Sequence, residues 1–497
     1  MTCCGTPVTG AATATVCPVC LGRVPGRLDR IGDEVYLERR CPEHGVARAL
    51  VWRGPPDYDA WRGMAADVPA DEAPAGCPAS CGACSEHAQG VCCVLLEVTD
   101  RCDLTCPVCF AAAGRVVTAE PDLAEIAGWC RRLAAAAPGC NVQLSGGEPT
   151  VRDDLPAIVA LAREHGFAFI QLNTNGLRLA REPGYAAALA AAGLSTVFLQ
   201  FDGLDDAPYL TLRGARLADA KRRALDACGR AGLGVVLVPT VAAGVNLGEL
   251  GAILQFALAN LPVVRGVHVQ PLAHLGRYDE RFRPDDERRV TLPDVMRALV
   301  EQSGGALALD DFRPGDCEHA LCSFQAEYLR QPDGRLARLR REPTSSCCGP
   351  KPAVAEPTSS CCGPRPPAAA ESPSSCWAAP SRSGTGPAGA AGRPVAPERK
   401  AALVARRWSG SSRAGDGGRR AGADATAGSA EWDAILRQVR ENTFSLSGMA
   451  FQDAWTLDLD RLSHCYLHVM RRDGALLPFC AFNLTDTRGR GLAGGRT

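Results

Sequence analysis

Aromatic residues make up only 5% of the 497-residue chain, and its formal charge nearly cancels, at −1. A nucleic-acid binder wants a basic field and aromatic platforms. A zinc-ribbon protein of that kind is therefore disfavoured, and no nucleic-acid partner is expected. No uninterrupted apolar run approaches 18 residues, so no transmembrane segment is expected either. The first residues lack a basic stretch followed by an apolar run; no secretory leader is expected, and a cytoplasmic location is. What the chain has in excess is cysteine, 25 residues. In a large chain of a reducing compartment, that number points to metal ligands rather than disulfides.

Composition divides the chain. Residues 1–93 hold ten cysteines and read as a Cys-rich N-terminal metal-binding region. Residues 94–310 alternate short apolar runs with amphipathic stretches, the pattern of an α/β fold. Candidate strands are Val94–Val98, Val142–Leu144, Ala168–Leu172, Thr196–Phe201, Val235–Val238 and Val267–Gln270. Helical patterns fall at Leu123–Ala136, Leu155–Glu164, Ala215–Ala231 and Leu247–Asn260. Six such β/α units predict a partial (β/α)6 TIM-like barrel, with its chemistry at the C-terminal ends of the strands. Residues 311–340 begin an auxiliary-cluster region, and 429–497 form a small C-terminal continuation of it. Between them, 341–428 is rich in Pro, Ser, Ala, Gly and Arg and reads as a disordered linker. The string Glu-Pro-Thr-Ser-Ser-Cys-Cys-Gly-Pro occurs there twice, at 342–350 and 356–364, and Cys-Cys-Gly also stands at Cys3–Gly5. Vicinal thiols of this kind capture soft ions; a duplicated linker without a role is the plainer reading.

The first candidate strand runs into Thr99-Asp-Arg-Cys102-Asp-Leu-Thr-Cys106-Pro-Val-Cys109-Phe110. Three cysteines at i, i+4 and i+7 can hold three corners of a [4Fe–4S] cubane. The fourth iron then keeps an open position, which a closed electron carrier does not need. Leu144-Ser145-Gly146-Gly147-Glu148-Pro149 follows the second strand, and a zinc site on the three cysteines would not explain it. Asn173-Thr-Asn175-Gly176 and Gln200-Phe-Asp202-Gly203 close the third and fourth strands.

These motifs resemble those of the radical S-adenosylmethionine (SAM) superfamily. The resemblance implies that the open iron of the Cys102, Cys106 and Cys109 cluster binds SAM, and that a 5′-deoxyadenosyl radical abstracts hydrogen from the substrate. It further implies SAM contacts at Gly146, Gly147 and Glu148, where glycine allows close backbone approach, and at Asn175, Gln200 and Asp202. An electron donor such as flavodoxin or ferredoxin is the expected partner. Over residues 16–340 and 440–486 the cysteine pattern is also similar to the archaeal tetraether lipid synthase group. So are Val264-Arg-Gly-Val267 before Gln270-Pro271, and the segment Pro478–Thr485. That similarity implies C–C bond formation or methyl transfer at an unactivated carbon of a small-molecule or lipid-like, apolar substrate.

The remaining cysteines suggest auxiliary sites. Cys17-Pro-Val-Cys20 and Cys41-Pro-Glu-His44 form two knuckles around a hairpin-like segment, a mononuclear iron or zinc ribbon that His44 or a later cysteine completes. Cys77, Cys81 and Cys84 repeat the 4+3 spacing, as an auxiliary metal site or a structural zinc knuckle. Cys317, Cys322, Cys465 and Cys480 offer four thiolates for one auxiliary [4Fe–4S] cluster, with ordinary buried thiols as the alternative. The competing function is a non-catalytic iron–sulfur electron-transfer or thiophilic metal-handling protein. The open coordination position and the Gly-Gly-Glu motif favour the enzyme.

Overall fold

Four strands open the chain: Ala11–Val16 (β1), Arg23–Ile31 (β2), Glu34–Cys41 (β3) and Gly45–Arg53 (β4). They form an antiparallel sheet in chain order. Along β3, Val35, Leu37 and Arg39 are buried on one face, the period-two pattern of a half-covered sheet. The sequence reading saw only a hairpin-like segment here, because β1 and β2 carry weak alternation.

The computed structural model describes residues 10–64, 91–114, 119–316, 318–339 and 436–492. Cys3–Gly5, Cys77, Cys81, Cys84, Cys317 and the segment 341–428 lie outside the described residues.

A larger, mostly parallel sheet holds the centre. Its strands are Cys93–Thr99 (β5), Asn141–Gly146 (β6), Ile170–Thr174 (β7), Thr196–Gln200 (β8), Gly234–Val238 (β9), Thr240–Val241 (β10) and Val264–Pro271 (β11). β5 through β9 and β11 pair side by side in parallel, and the short β10 pairs with β11. Val94, Leu96, Val98, Val142, Leu144, Ile170, Leu172, Val197 and Leu199 are fully buried. They alternate with Cys93, Leu95, Gln143, Ser145, Gln171, Asn173 and Gln200, which line an interior cavity. Helices Leu123–Ala136, Leu155–Glu164, Tyr185–Ala192, Ala218–Arg230 and Leu250–Ala259 supply the crossovers. The expected α/β barrel is therefore present, with every anticipated strand within a few residues of its place. Helices Leu177–Arg181, Tyr185–Ala192 and Leu292–Gln302 were not anticipated, nor was Asp206–Arg213. Gly214 caps it in the left-handed region and displaces the start of the next helix from Ala215 to Ala218.

Composition did not reveal that the C-terminal residues are part of this sheet. Ser323–Arg330 (β12), Leu336–Arg338 (β13), Thr443–Met449 (β14), Leu467–Met470 (β15) and Leu476–Pro478 (β16) extend it at both edges. β14 lies parallel to β11 and antiparallel to β12; β15 lies parallel to β5 and antiparallel to β16. The chain thus leaves one edge of the curled sheet at β14 and rejoins the opposite edge at β15, so eight parallel strands surround the lumen. The ribbon docks on residues between those two strands. Arg39 donates to the carbonyls of Ala454 (3.3 Å) and Trp455, and Thr13 donates to Asp458 at 2.8 Å.

Candidate active site and metal centres

The cysteine loop leaves the C-terminal end of β5 and is braced from several sides. Backbone N–H groups of Gly147 and Glu148 donate to the carbonyls of Thr99 and Arg101, each at 2.8 Å. Gly146 stands at φ +130°, and a Cβ on Gly147 would collide with the Arg101 carbonyl oxygen. The glycine pair is thus required first by the approach of the two loops. Arg277, beyond β11, donates to the carbonyls of Cys106 (3.0 Å) and Ala113 (3.1 Å), and its backbone pairs with Cys109. Asn175 donates to Asp103 at 2.7 Å. So held, Cys102, Cys106 and Cys109 all border one cavity of about 720 Å³.

The other expected SAM-binding residues gather at the same strand ends, but their polar atoms are largely engaged. Glu148 is buried and accepts from the Thr150 hydroxyl (2.6 Å), the Thr174 hydroxyl (2.7 Å) and the Asn175 N–H (2.7 Å). Burial raises its pKa, and these donors oppose that shift. Asn175 Oδ1 accepts from Leu177 N, at the start of the following helix, at 2.9 Å. Gln200 donates to Asp202 at 2.7 Å. Asp202, fully buried, accepts a bidentate pair from Arg213 at 2.8 and 2.9 Å. These side chains build the framework of the strand ends.

Two residues here escaped the sequence reading. Arg213 neutralises Asp202 and also donates to Thr240 at 2.8 Å. Lys221, fully buried, donates to the Asn175 carbonyl at 2.6 Å and to Gln200 Oε1 at 3.1 Å. Burial pulls its pKa down to about 8. A signal existed: Lys221 is one of only three lysines in an arginine-rich chain.

Farther into the lumen, amides of β7 and β6 form a row that ends on Cys93 of β5. Gln171 donates to Asn173 (2.7 Å), Asn173 to Gln143 (3.1 Å), and Gln143 to the Cys93 sulfur (3.0 Å). Each amide nitrogen has a second N–H beyond those bonds. Opposite, His268 bonds Ser447 at 3.0 Å, and burial pushes its pKa to about 4, leaving it neutral. Among the described residues, Glu148 and Arg213 are the only charged side chains lining the cavity.

In the ribbon, Cys17, Cys20, Cys41 and His44 present ligand atoms all within 4.8 Å of one another. His44 is thus the fourth member. Its Nδ1 lies 3.4 Å from the Cys41 sulfur, a contact that lowers the Cys41 pKa to about 7. Two soft thiols, a third at the surface and an imidazole make a donor set that suits tetrahedral zinc or iron. In the C-terminal region, burial raises the Cys465 and Cys480 pKa values; nearby Cys480 and Cys322 raise that of Cys465 further, and Cys322 that of Cys480. Arg461 reaches the Cys322 sulfur at 3.5 Å.

Residues 96–257 match the family described as the Radical SAM superfamily, and residues 11–53 match the HMPTM N-terminal zinc ribbon domain. The chain is similar to the 7,8-dihydro-6-hydroxymethylpterin dimethyltransferase of Methanocaldococcus jannaschii. The two are 38% identical over 311 residues, 61% of this chain and 60% of that protein, so the chain spans less than two thirds of this relative's length. It is also similar to a probable GTP 3',8-cyclase of Methanopyrus kandleri, 33% identical over 244 residues, 48% of this chain and 74% of that protein. Among solved structures, Streptococcus suis SuiB bound to S-adenosylmethionine matches with a TM-score of 0.36 at 17% identity, covering 42% of this chain and 46% of that one. None of these three is a tetraether lipid synthase.

Proposed function

The chain belongs to the radical SAM superfamily, and from that premise we propose that this enzyme carries out methyl transfer or C–C bond formation on an uncharged, planar heterocycle. The family implies a [4Fe–4S] cluster and SAM, and three thiols bordering one cavity suit them. Cys102, Cys106 and Cys109 would hold the cluster. When bound, cluster and SAM together supply a carbon-centred radical that removes a hydrogen atom from an unactivated carbon. The protein's own part is positioning. Gly146 and Gly147 keep the cysteine loop against the strand ends. Glu148, Asn175, Gln200 and Asp202 shape the seat for SAM, and Arg213 and Lys221 hold them in place.

The amide row carries the substrate reading. An aliphatic chain in this lumen would leave the second N–H groups of Gln143, Gln171 and Asn173 without partners, at a cost of about 1–3 kcal/mol for each buried group. A ring with alternating donors and acceptors satisfies them. The lipid-like, apolar substrate expected from the sequence fits this lining poorly. A nucleoside triphosphate fits it poorly too, since Arg213 is already committed to Asp202. A reduced pterin, the substrate in the Methanocaldococcus relative's name, has the right edge chemistry and no phosphate.

Cys17, Cys20, Cys41 and His44 would hold zinc or a single iron. Cys322, Cys465 and Cys480, with Cys317, would hold an auxiliary cluster. Iron content of the Cys465→Ala, Cys480→Ala double variant tests the latter. A loss of about four irons per chain, the content of one cubane, supports it, and an unchanged count removes it. A flavodoxin or ferredoxin would deliver the electron.

Anaerobic reconstitution with iron, sulfide, SAM and dithionite tests the whole reading. With 7,8-dihydro-6-hydroxymethylpterin present and SAM in excess, one SAM yields 5′-deoxyadenosine and methionine. A second donates its methyl group and leaves as S-adenosylhomocysteine, dithionite supplying both electrons. 5′-Deoxyadenosine and a methylated pterin are expected by mass spectrometry. If 5′-deoxyadenosine forms but no pterin is changed, the substrate assignment is wrong. If none forms, the assignment of the cysteine loop is wrong.

A further inference from the structure

The lumen does not end at the amide row. It continues past Cys93 and Asn141 to the N-terminal ends of β5, β6 and β15, where Val91, Ala136, Pro138, Phe169, Tyr466 and Leu467 edge a second mouth. Ala136, Pro138 and Gly139 are exposed there, so among the described residues the cavity meets solvent at this end as well. In (β/α) barrels the lower interior is ordinarily packed with side chains. Here Cys93 and Asn141 are too short to fill it.

The C-terminal end is more constrained. Phe110, next to Cys109, packs against Phe479 with ring centroids 5.3 Å apart, and Phe479 against Phe451 at 4.4 Å. Arg277 lies across the cysteine loop through its bonds to Cys106 and Ala113. A cluster on the three thiols and a SAM beside it would occupy much of what remains at that end.

We propose that SAM uses the C-terminal mouth while the substrate enters, and its product leaves, through the N-terminal mouth. This rests on the function proposed above and adds the route. The chemistry of the passage is graded to suit it. Among the described residues the collar is uncharged, so a neutral ring passes without stranding a charge, and its first polar partners are Asn141 and then Gln143, where the amide row begins. Among the described residues a phosphorylated ligand finds no cation lining this path, because Arg213 stands at the far end. Two separate mouths also mean that neither ligand has to leave before the other exchanges.

The test places a bulky side chain in the collar: Ala136→Trp, at the exposed end of helix Leu123–Ala136, with Ala136→Ser as control, in the full-length reconstituted enzyme. With 7,8-dihydro-6-hydroxymethylpterin as probe, Ala136→Trp should raise KM for the pterin at least tenfold. Dithionite-driven SAM cleavage without pterin should stay within twofold of wild type. An unchanged pterin KM, or an equal loss in SAM cleavage, overturns the route. If wild type does not act on the pterin, the substrate reading fails separately, and the route is read by thiol labelling. With cluster and SAM bound, methyl methanethiosulfonate should modify Cys93 at least tenfold more slowly in Ala136→Trp than in wild type, scored by peptide mass spectrometry. Equal labelling rates overturn the route in that case too.

Discussion

Lys221 is a cation with no carboxylate among its hydrogen-bond partners: it donates to one backbone carbonyl and one amide oxygen. Its folded-state pKa, about 8, lies below the ordinary 10.5, so the unfolded chain binds the extra proton more readily. Stability from this site is therefore complete above the unfolded value and is lost as pH falls through about 8. Wild type should gain stability relative to Lys221→Met between those two values, read as the difference in urea midpoints across the window. At neutral pH, Lys221→Met leaves the Asn175 carbonyl without its donor, a loss of about 1–3 kcal/mol. Gly147→Ala works differently, since its Cβ meets backbone that cannot rotate away. The cysteine loop must then separate from the Gly-Gly-Glu loop. Destabilisation of about 1–3 kcal/mol is expected, together with loss of SAM cleavage. Thermal midpoints and 5′-deoxyadenosine yields check both effects.

Among elements, the parallel strands were the easiest to read, because burial on both faces demands apolar runs such as Val235–Val238 and, interrupted only by Glu97, Val94–Val98. The cysteine loop and the Gly-Gly-Glu loop were legible for a different reason: their spacing follows those runs at once. Lys221 and Arg213 were not, since a buried cation on a helix looks like any surface charge until its partners are known. β14 and β15 were missed because they find their neighbours across hundreds of residues, which no local pattern encodes. Their placement makes the long 341–428 segment testable. β13 lies two strands from β14, or about 10 Å. A flexible linker of about ten residues has an end-to-end distance of roughly 17 Å and can span that. Replacing 341–428 with such a linker should leave iron content and SAM cleavage within twofold of wild type; loss of the fold would show that the segment is structural.

At the scale of the molecule, the ribbon is tied to the same C-terminal stretch that joins the two edges of the sheet. Thr15 donates to the Leu457 carbonyl at 2.5 Å, beside the Arg39 contacts with Ala454 and Trp455. Loss of the metal proposed for the ribbon should therefore weaken more than the ribbon. His44→Ala should release one metal ion per chain, lower the thermal midpoint of the whole fold and leave the iron of the cysteine loop in place. Metal analysis and calorimetry decide it. The pairing of Cys93 with Leu467 also governs how the protein is made. While a ribosome is still synthesising the chain, β5 stands as an unprotected edge next to the cysteine loop, and it stays so until almost the last strand emerges. Contacts this distant in sequence form slowly, and the intervening length adds only about 0.6 kcal/mol of closure entropy per doubling. Delay, rather than instability, is thus the hazard for the nascent chain. Slower elongation or added chaperone during expression should improve the soluble yield more than any stabilising substitution in the six central strands.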